Sequence, residues 1–230
     1  MARKVLIVDD EKNIIKGLKV VLESDGISTE EAYDGEEALE KIKEGRFDLV
    51  LLDLMLPQKD GLEVCQEVRA FSDIPIIMLT AKGEAMDKIT GLEFGADDYI
   101  TKPFNVLEVK ARVKAHLRRM ENYKKTKEDD SLVVVNGDFR FEKDNRRLYI
   151  AGVEKPLTSK EFDLLSLLVE SPGKVFGRDE LLRLVWGADV KADVRTVDVH
   201  MRRLREKIEV SPSEPMYVRT KWGQGYYYQG

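Results

Sequence analysis

At 230 residues, 43% hydrophobic and 35% charged, the chain has material for two medium-sized cores, on the rule of about 100 to 200 residues per domain. No stretch approaches the roughly 18 unbroken apolar residues of a membrane span; the start, Met1-Ala2-Arg3-Lys4 running into a strand-like segment, argues against a secretory signal, and the single cysteine, Cys65, excludes an internal disulfide, so a cytoplasmic, reducing setting is expected. The net charge of −5 hides a split: residues 131–230 carry 17 Lys and Arg against 15 Asp and Glu, and the remainder 21 against 28, so an acidic half suited to a cation precedes a basic half suited to a polyanion.

In chain order, the first apolar run is Val5-Leu6-Ile7-Val8, which ends on Asp9 and Asp10. A helical pattern follows, Ile14-Ile15-Leu18-Val21-Leu22, then a shorter strand from Ile27 to Ala32 and a helix marked by Ala38-Leu39-Ile42. Leu49-Val50-Leu51-Leu52 ends on Asp53, and Leu62-Val64-Val68 marks the next helix, with Cys65 as packing filler on its apolar face. Ile76-Ile77-Met78-Leu79 ends on Thr80, a helix is marked by Ile89 and Leu92, and Tyr99-Ile100 leads into Thr101-Lys102. Val106-Leu107-Val109-Val113-Leu117 closes the series. Short strands alternating with amphipathic helices predict a five-stranded, doubly wound parallel sheet over residues 1–120. In such a sheet ligands bind beyond the carboxyl ends of the strands, so Asp9, Asp10, Asp53, Thr80 and Lys102 converge there.

Residues 121–131 are polar and aperiodic and read as a charged linker. Residues 132–230 follow a different grammar. Leu132 to Val135, Phe139 to Phe141 and Arg147 to Ile150, separated by turns such as Asn136-Gly137 and followed by Ala151-Gly152, predict an antiparallel meander. Thr158-Ser159-Lys160-Glu161 opens a helix as a capping box, with a core face at Leu164-Leu165-Leu167-Leu168 and a stop at Pro172-Gly173. A second helix runs from about Arg178 to Val185 and a third from about Val194 to Glu209; Tyr217 to Thr220, a Gly223-Gln224-Gly225 turn and Tyr226-Tyr227-Tyr228 form a terminal hairpin.

The clustered carboxylates define a chemistry. An aspartate attacks a phosphoryl donor only when the repulsion between two anions is relieved, and Mg²⁺, which binds through one or two carboxylates plus phosphate oxygens, relieves it. Lys102 supplies a point charge to a phosphoryl oxygen and Thr80 a hydroxyl donor, and the product is an aspartyl phosphate. The acidic pair in VDDE, the acceptor in LLDLMLPQKDG, the hydroxyl in LTA and the lysine in DDYITKPF resemble the flavodoxin-like receiver domain of bacterial two-component response regulators, over residues 3–120. That resemblance implies Asp53 as phosphoacceptor, Asp10 and Asp53 as direct Mg²⁺ ligands with the Met55 carbonyl, Asp9 acting through water, Thr80 and Lys102 as sensors and Tyr99 as a rotamer switch. It further implies a symmetric dimer through the fourth helix, fifth strand and fifth helix. There Lys88 with Glu108 and Asp98 with Arg112 form cross-dimer pairs, and Asp97 and Arg119 lie nearby.

On a helical wheel of about 100° per residue, Arg195, Val199, Arg202, Arg203 and Glu206 share one face of the third effector helix, while Val197, Met201, Leu204 and Ile208 form the opposite one. An arginine face suits phosphates and guanine edges in the DNA major groove. The meander, three helices and hairpin resemble the α+β winged-helix output domain of OmpR/PhoB-class regulators, through LTSKEFDLLSLLVESPGKVFGRDELLRLVWG and VRTVDVHMRRLREKIE. The resemblance implies base-edge or phosphate contacts by Arg195, Val199, Arg202 and Arg203, and backbone contacts by Thr196, His200 and Arg205. It also implies a minor-groove wing containing Thr220, Trp222 and Tyr226, and an RNA polymerase contact in the loop from Trp186 to Asp193. The family's wing usually has arginine where this chain has Trp222.

The expected function is a transcriptional regulator phosphorylated by a sensor histidine kinase, dimeric on double-stranded promoter DNA and catalysing nothing beyond its own phosphorylation and dephosphorylation. The alternative is a constitutive regulator, or an adaptor whose basic domain binds protein. A haloacid-type phosphatase fails on spacing, since it requires Asp-x-Asp at the nucleophile and the pair here is Asp9-Asp10.

Overall fold

A computed structural model describes residues 3–81, 95–125, 132–187 and 193–230. The chain divides into two compact units, Met1–Met120 and Glu121–Gly230.

In the first unit β1 (Lys4–Val8), β2 (Ser28–Ala32), β3 (Leu49–Asp53), β4 (Ile76–Ala81) and β5 (Asp98–Lys102) form one parallel sheet in the order β2-β1-β3-β4-β5. All five residues of β3 are buried, as the unbroken apolar run of a central parallel strand requires. The described helices of this unit are α1 (Lys12–Glu23), α2 (Gly35–Glu44), α3 (Gly61–Arg69) and α4 (Val106–Lys125). Their starts are written in the sequence: the Asp34 side chain accepts from the Glu37 amide at 2.8 Å, and Asp60 with Glu63 forms a full capping box. Ile15, Leu18, Leu22, Val109, Val113 and Leu117 pack against Val5, Ile7, Leu51 and Ile77 on one sheet face. The helix expected around Ile89 and Leu92 lies outside the described residues.

The linker needs correction at its start. α4 continues through Glu121 to Lys125, so these five residues are helical rather than irregular. Lys and Glu are strong helix formers, so backbone propensity carries the helix on where the apolar period is missing.

The second unit begins with an antiparallel sheet, β6 (Val133–Asn136), β7 (Phe139–Glu142), β8 (Arg147–Ile150) and the two-residue β9 (Val153–Glu154). Then come α5 (Ser159–Val169), α6 (Arg178–Trp186), α7 (Arg195–Ile208) and the hairpin β10 (Val218–Lys221) with β11 (Gly225–Tyr228). Thr158 and Glu161 form the expected capping box at α5. Phe139, Phe141, Phe162, Leu165, Trp186, Val197, Met201, Leu204 and Tyr228 share one core. Phe176 and Tyr226 exchange backbone hydrogen bonds of 3.0 and 2.9 Å, which fixes the hairpin to the chain entering α6.

Candidate functional site

The polar residues ending β1, β3, β4 and β5 meet at the carboxyl edge of the parallel sheet. The register aligns Asp53 with Leu79 and Leu79 with Ile100, so β4 and β5 run two residues past the end of β3 and carry Thr80 and Lys102 beyond Asp53. Lys102 reaches back across that edge: its Nζ lies 3.0 Å from Asp53 Oδ2, 2.8 Å from Asp9 Oδ2 and 3.8 Å from Glu11 Oε1. Asp9 and Asp53 are buried and Asp10 is exposed, and one carboxylate oxygen of each lies within 4.8 Å of the others. The other oxygen of Asp9 accepts from the Glu11 amide at 2.9 Å, so Asp9 is held from two sides.

Burial pushes the Asp53 carboxyl up to about 6; Lys102 works against that rise and the neighbouring Asp9 adds to it. For Lys102, burial disfavours the charge, yet its bonds to Asp9 and Asp53 outweigh burial and the ammonium ends above its ordinary value. One lysine therefore sits among more negative charge than it neutralises. Hard oxygen ligands in that state fit a divalent cation such as Mg²⁺. The Thr80 hydroxyl is buried with no hydrogen-bond partner among the described residues, one position beyond the Leu79 that pairs with Asp53. Tyr99 is buried in β5, and the Met55 side chain points outward. The Lys102-Pro103 peptide is cis.

In the second unit the exposed cations on α7 and the hairpin are Arg195, Arg202, Arg219 and Lys221. Several other residues expected at a nucleic-acid surface are turned inward. Thr196 is buried, and His200 is fully buried with its ring 5.2 Å from that of Trp186. Val199 is buried as well, although it shares the wheel sector of Arg195 and Arg202. Arg203 pairs with the buried Glu161 at 3.7 Å. Arg205 donates to the Val218 carbonyl at 2.8 Å and the Thr220 hydroxyl at 2.7 Å, and so ties α7 to the hairpin. Tyr226 is buried and its hydroxyl donates to Asp198 at 2.6 Å; burial and that bond push its pKa up to about 12. Thr196, His200 and Tyr226 are thus scaffold positions: Thr196 and His200 are buried on α7 and Tyr226 joins the effector core from β11, whereas the long arms of Arg195 and Arg202 reach past their neighbours.

Residues 5–114 match the response regulator receiver domain family, and residues 152–228 match the family described as transcriptional regulatory protein, C terminal. The chain is 34% identical to response regulator DrrB, an OmpR/PhoB homologue of Thermotoga maritima, over the full length of both chains with a TM-score of 0.53.

This chain is an OmpR/PhoB-class response regulator.

Other solved structures agree in part. A two-component response regulator from Clostridium difficile is 40% identical, with 51% of this chain and 98% of that one covered and a TM-score of 0.50. A RitR mutant is similar in fold, with a TM-score of 0.80 over 99% of both chains at 24% identity. The regulator pairs a receiver with a DNA-binding domain, which makes it a two-component transcriptional regulator. Among its described residues no helix is long and apolar enough to cross a membrane.

Within this response regulator the expected dimer residues mostly serve one chain. Asp97 is buried, pairs with Arg69 at 2.8 Å and accepts from the Ile76 amide at 2.9 Å. Arg112 holds both oxygens of Asp98 at 3.0 and 3.1 Å and reaches Glu108 at 2.9 Å, so the pair assigned to a dimer contact is a buried intrachain pair. Lys88 and residues 188–192 of the proposed polymerase loop lie outside the described residues, as does the Arg119 side chain.

Two positions escaped the sequence reading. Gly61, the last residue of LLDLMLPQKDG, stands so close to the acceptor that a Cβ there would lie 2.1 Å from the Asp53 carbonyl oxygen. Arg69, placed on no face, donates to the Gly95 and Ile74 carbonyls and to Asp97, and so locks α3 to the entry of β5. The Asp60-Gly61 pair was a visible signal for the first. The second had none, because two of its partners, Gly95 and Asp97, are more than 20 residues away.

Proposed function

We propose that Asp53 is the phosphoacceptor of this regulator and that its phosphorylation controls promoter binding. The phosphorus bond to a histidine nitrogen of the sensor kinase breaks, an Asp53 carboxylate oxygen forms the new bond, and the electron pair stays with the histidine. The observation that carries this reading is the bridge from Lys102 to both Asp53 and Asp9 at a site short of positive charge. Asp9, Asp10 and Asp53, with the Met55 carbonyl, would hold Mg²⁺, which supplies charge neutralisation to the incoming phosphoryl group. Lys102 stabilises a phosphoryl oxygen, and the Thr80 hydroxyl, which lacks an internal partner among the described residues, donates to another. Tyr99, buried on the neighbouring strand, follows Thr80 inward.

The regulator catalyses only its own phosphorylation and dephosphorylation. Phosphorylated receivers pair through β5, α4 and the helix expected around Ile89, where Leu107 and Glu108 are exposed. Two linked effector domains then bind tandem half-sites with an affinity neither reaches alone. Arg195 and Arg202 read the major groove, and the α6–α7 loop meets RNA polymerase.

The test is duplex binding with and without a small phosphodonor and Mg²⁺, on the native chain and on Asp53→Ala. Phosphodonor is expected to sharpen binding only in the native chain. Equal sharpening in both would refute Asp53 as the switch, and binding that ignores phosphodonor in both would favour a constitutive regulator.

A further inference from the structure

The wing carries an indole that the fold leaves uncovered. Trp222 is 91% exposed at the turn between β10 and β11, whereas Trp186, the other tryptophan, is 2% exposed in the effector core. Its mount is firm. Arg205 grips Val218 and Thr220, the Tyr226 hydroxyl is bound to Asp198, and the Phe176 and Tyr226 backbones are paired. Gly225 admits no side chain, since a Cβ would lie 1.9 Å from the Phe176 carbonyl oxygen, and Gly223 turns the chain at φ +73°. Arg219 and Lys221 are exposed on the same strand, so a neutral plane stands at the tip of a cationic arm.

A solvated loop needs no indole, and an indole cannot neutralise phosphate. A narrow groove with apolar sugar walls suits it: proteins that enter the minor groove often insert an apolar side chain at a base step and bend the duplex. We propose that Trp222 is a minor-groove wedge that opens one base step of the bound duplex while Arg219 and Lys221 meet the flanking phosphates. The inference rests on the DNA-binding reading above. Its consequence is a wing tip whose own contribution, beside the phosphate contacts of Arg219 and Lys221, releases no counterion, and which selects deformable pyrimidine–purine steps over rigid tracts rather than reading base edges.

Full-length protein treated with phosphodonor and Mg²⁺ is used to select duplexes from a random pool, and the best duplex is the probe. Trp222→Ala is expected to weaken binding roughly tenfold, the scale of one lost base-stacking aromatic, with the slope of log affinity against log salt unchanged. Trp222→Phe keeps most of the affinity, and Trp222→Arg steepens the slope by about 0.9, as one added phosphate contact would. Energy transfer between dyes on the duplex ends reports less bending with Trp222→Ala than with the native chain. Acrylamide quenching of Trp222 is suppressed in the native complex. Because the side chain is almost wholly exposed, the variants melt like the native chain. Native affinity in Trp222→Ala, or a Trp222 still open to acrylamide in the complex, overturns the wedge and leaves DNA binding standing. If the native chain retains no duplex in a salt-dependent way, both fall.

Discussion

In the receiver, Asp53 and Asp9 are buried side by side and share one cation, Lys102, whereas in the effector domain the buried Glu161 faces two, Lys207 at 2.7 Å and Arg203 at 3.7 Å. Glu161 also accepts from the Thr158 amide at 2.9 Å and so closes the start of α5. The first site lacks positive charge and its carboxyl rises to about 6; the second has two cations for one carboxylate and acts as a fastener between α5 and α7. A buried charge kept short of partners is poised for an incoming ion or phosphoryl group. A buried charge with surplus partners holds elements together.

Five substitutions break or sharpen that contrast. Gly61→Ala drives a Cβ into the Asp53 backbone, which cannot rotate away; a loss of about 3 kcal/mol in urea unfolding, with phosphorylation abolished, is expected. Native stability in that variant would show that the strand end yields easily. Glu161→Ala removes a capping acceptor and strands Lys207 and Arg203, which retain some access to water, so about 2 kcal/mol of destabilisation is expected by thermal or urea melts, with receiver phosphorylation untouched.

Asp53→Asn has the opposite sign. The folded carboxyl titrates at about 6, above its ordinary value of 3.8, so the folded state binds the proton more tightly. The penalty is absent below about pH 4, grows as pH rises toward 6 and is full above it. Screening by Lys102 and nearby water reduces it, and the variant should be roughly 1 to 2 kcal/mol more stable at pH 7.5 with little gain at pH 4. A gain that is the same at both would assign the effect to packing. The smallest stability effect belongs to Arg202→Ala, within about 0.5 kcal/mol, because its partner Glu206 is an exposed i,i+4 neighbour at 3.1 Å. That variant should lose DNA affinity and flatten the salt slope by about one unit, whereas Arg203→Ala should mainly lower the melting temperature.

The two sites differ in how readable they were. Asp9, Asp53, Thr80 and Lys102 could be placed together from the chain alone because each ends an apolar run, and parallel strands aim their ends at one edge. The wheel for α7 sorted Arg195 and Arg202 correctly from Val197 and Leu204. It misassigned Val199, which neighbouring side chains cover. Thr196, His200 and Tyr226 were carried over from the family to the DNA surface, and the structure buries them instead. The Asp98 and Arg112 pair was legible as a pair, but not as an intrachain one.

Element order, strand ends, helix caps such as Asp34, Asp60 and Thr158, and the outward-facing Trp222 follow from local chemistry, since run length, period and capping residues act over a few neighbouring positions. Which charges are buried, and against what, was decided only in three dimensions. The Lys207–Glu161, Tyr226–Asp198 and Arg69–Asp97 contacts join residues 28 to 46 positions apart, and the free energy of a buried charge depends on how many such distant partners the packed chain brings to it.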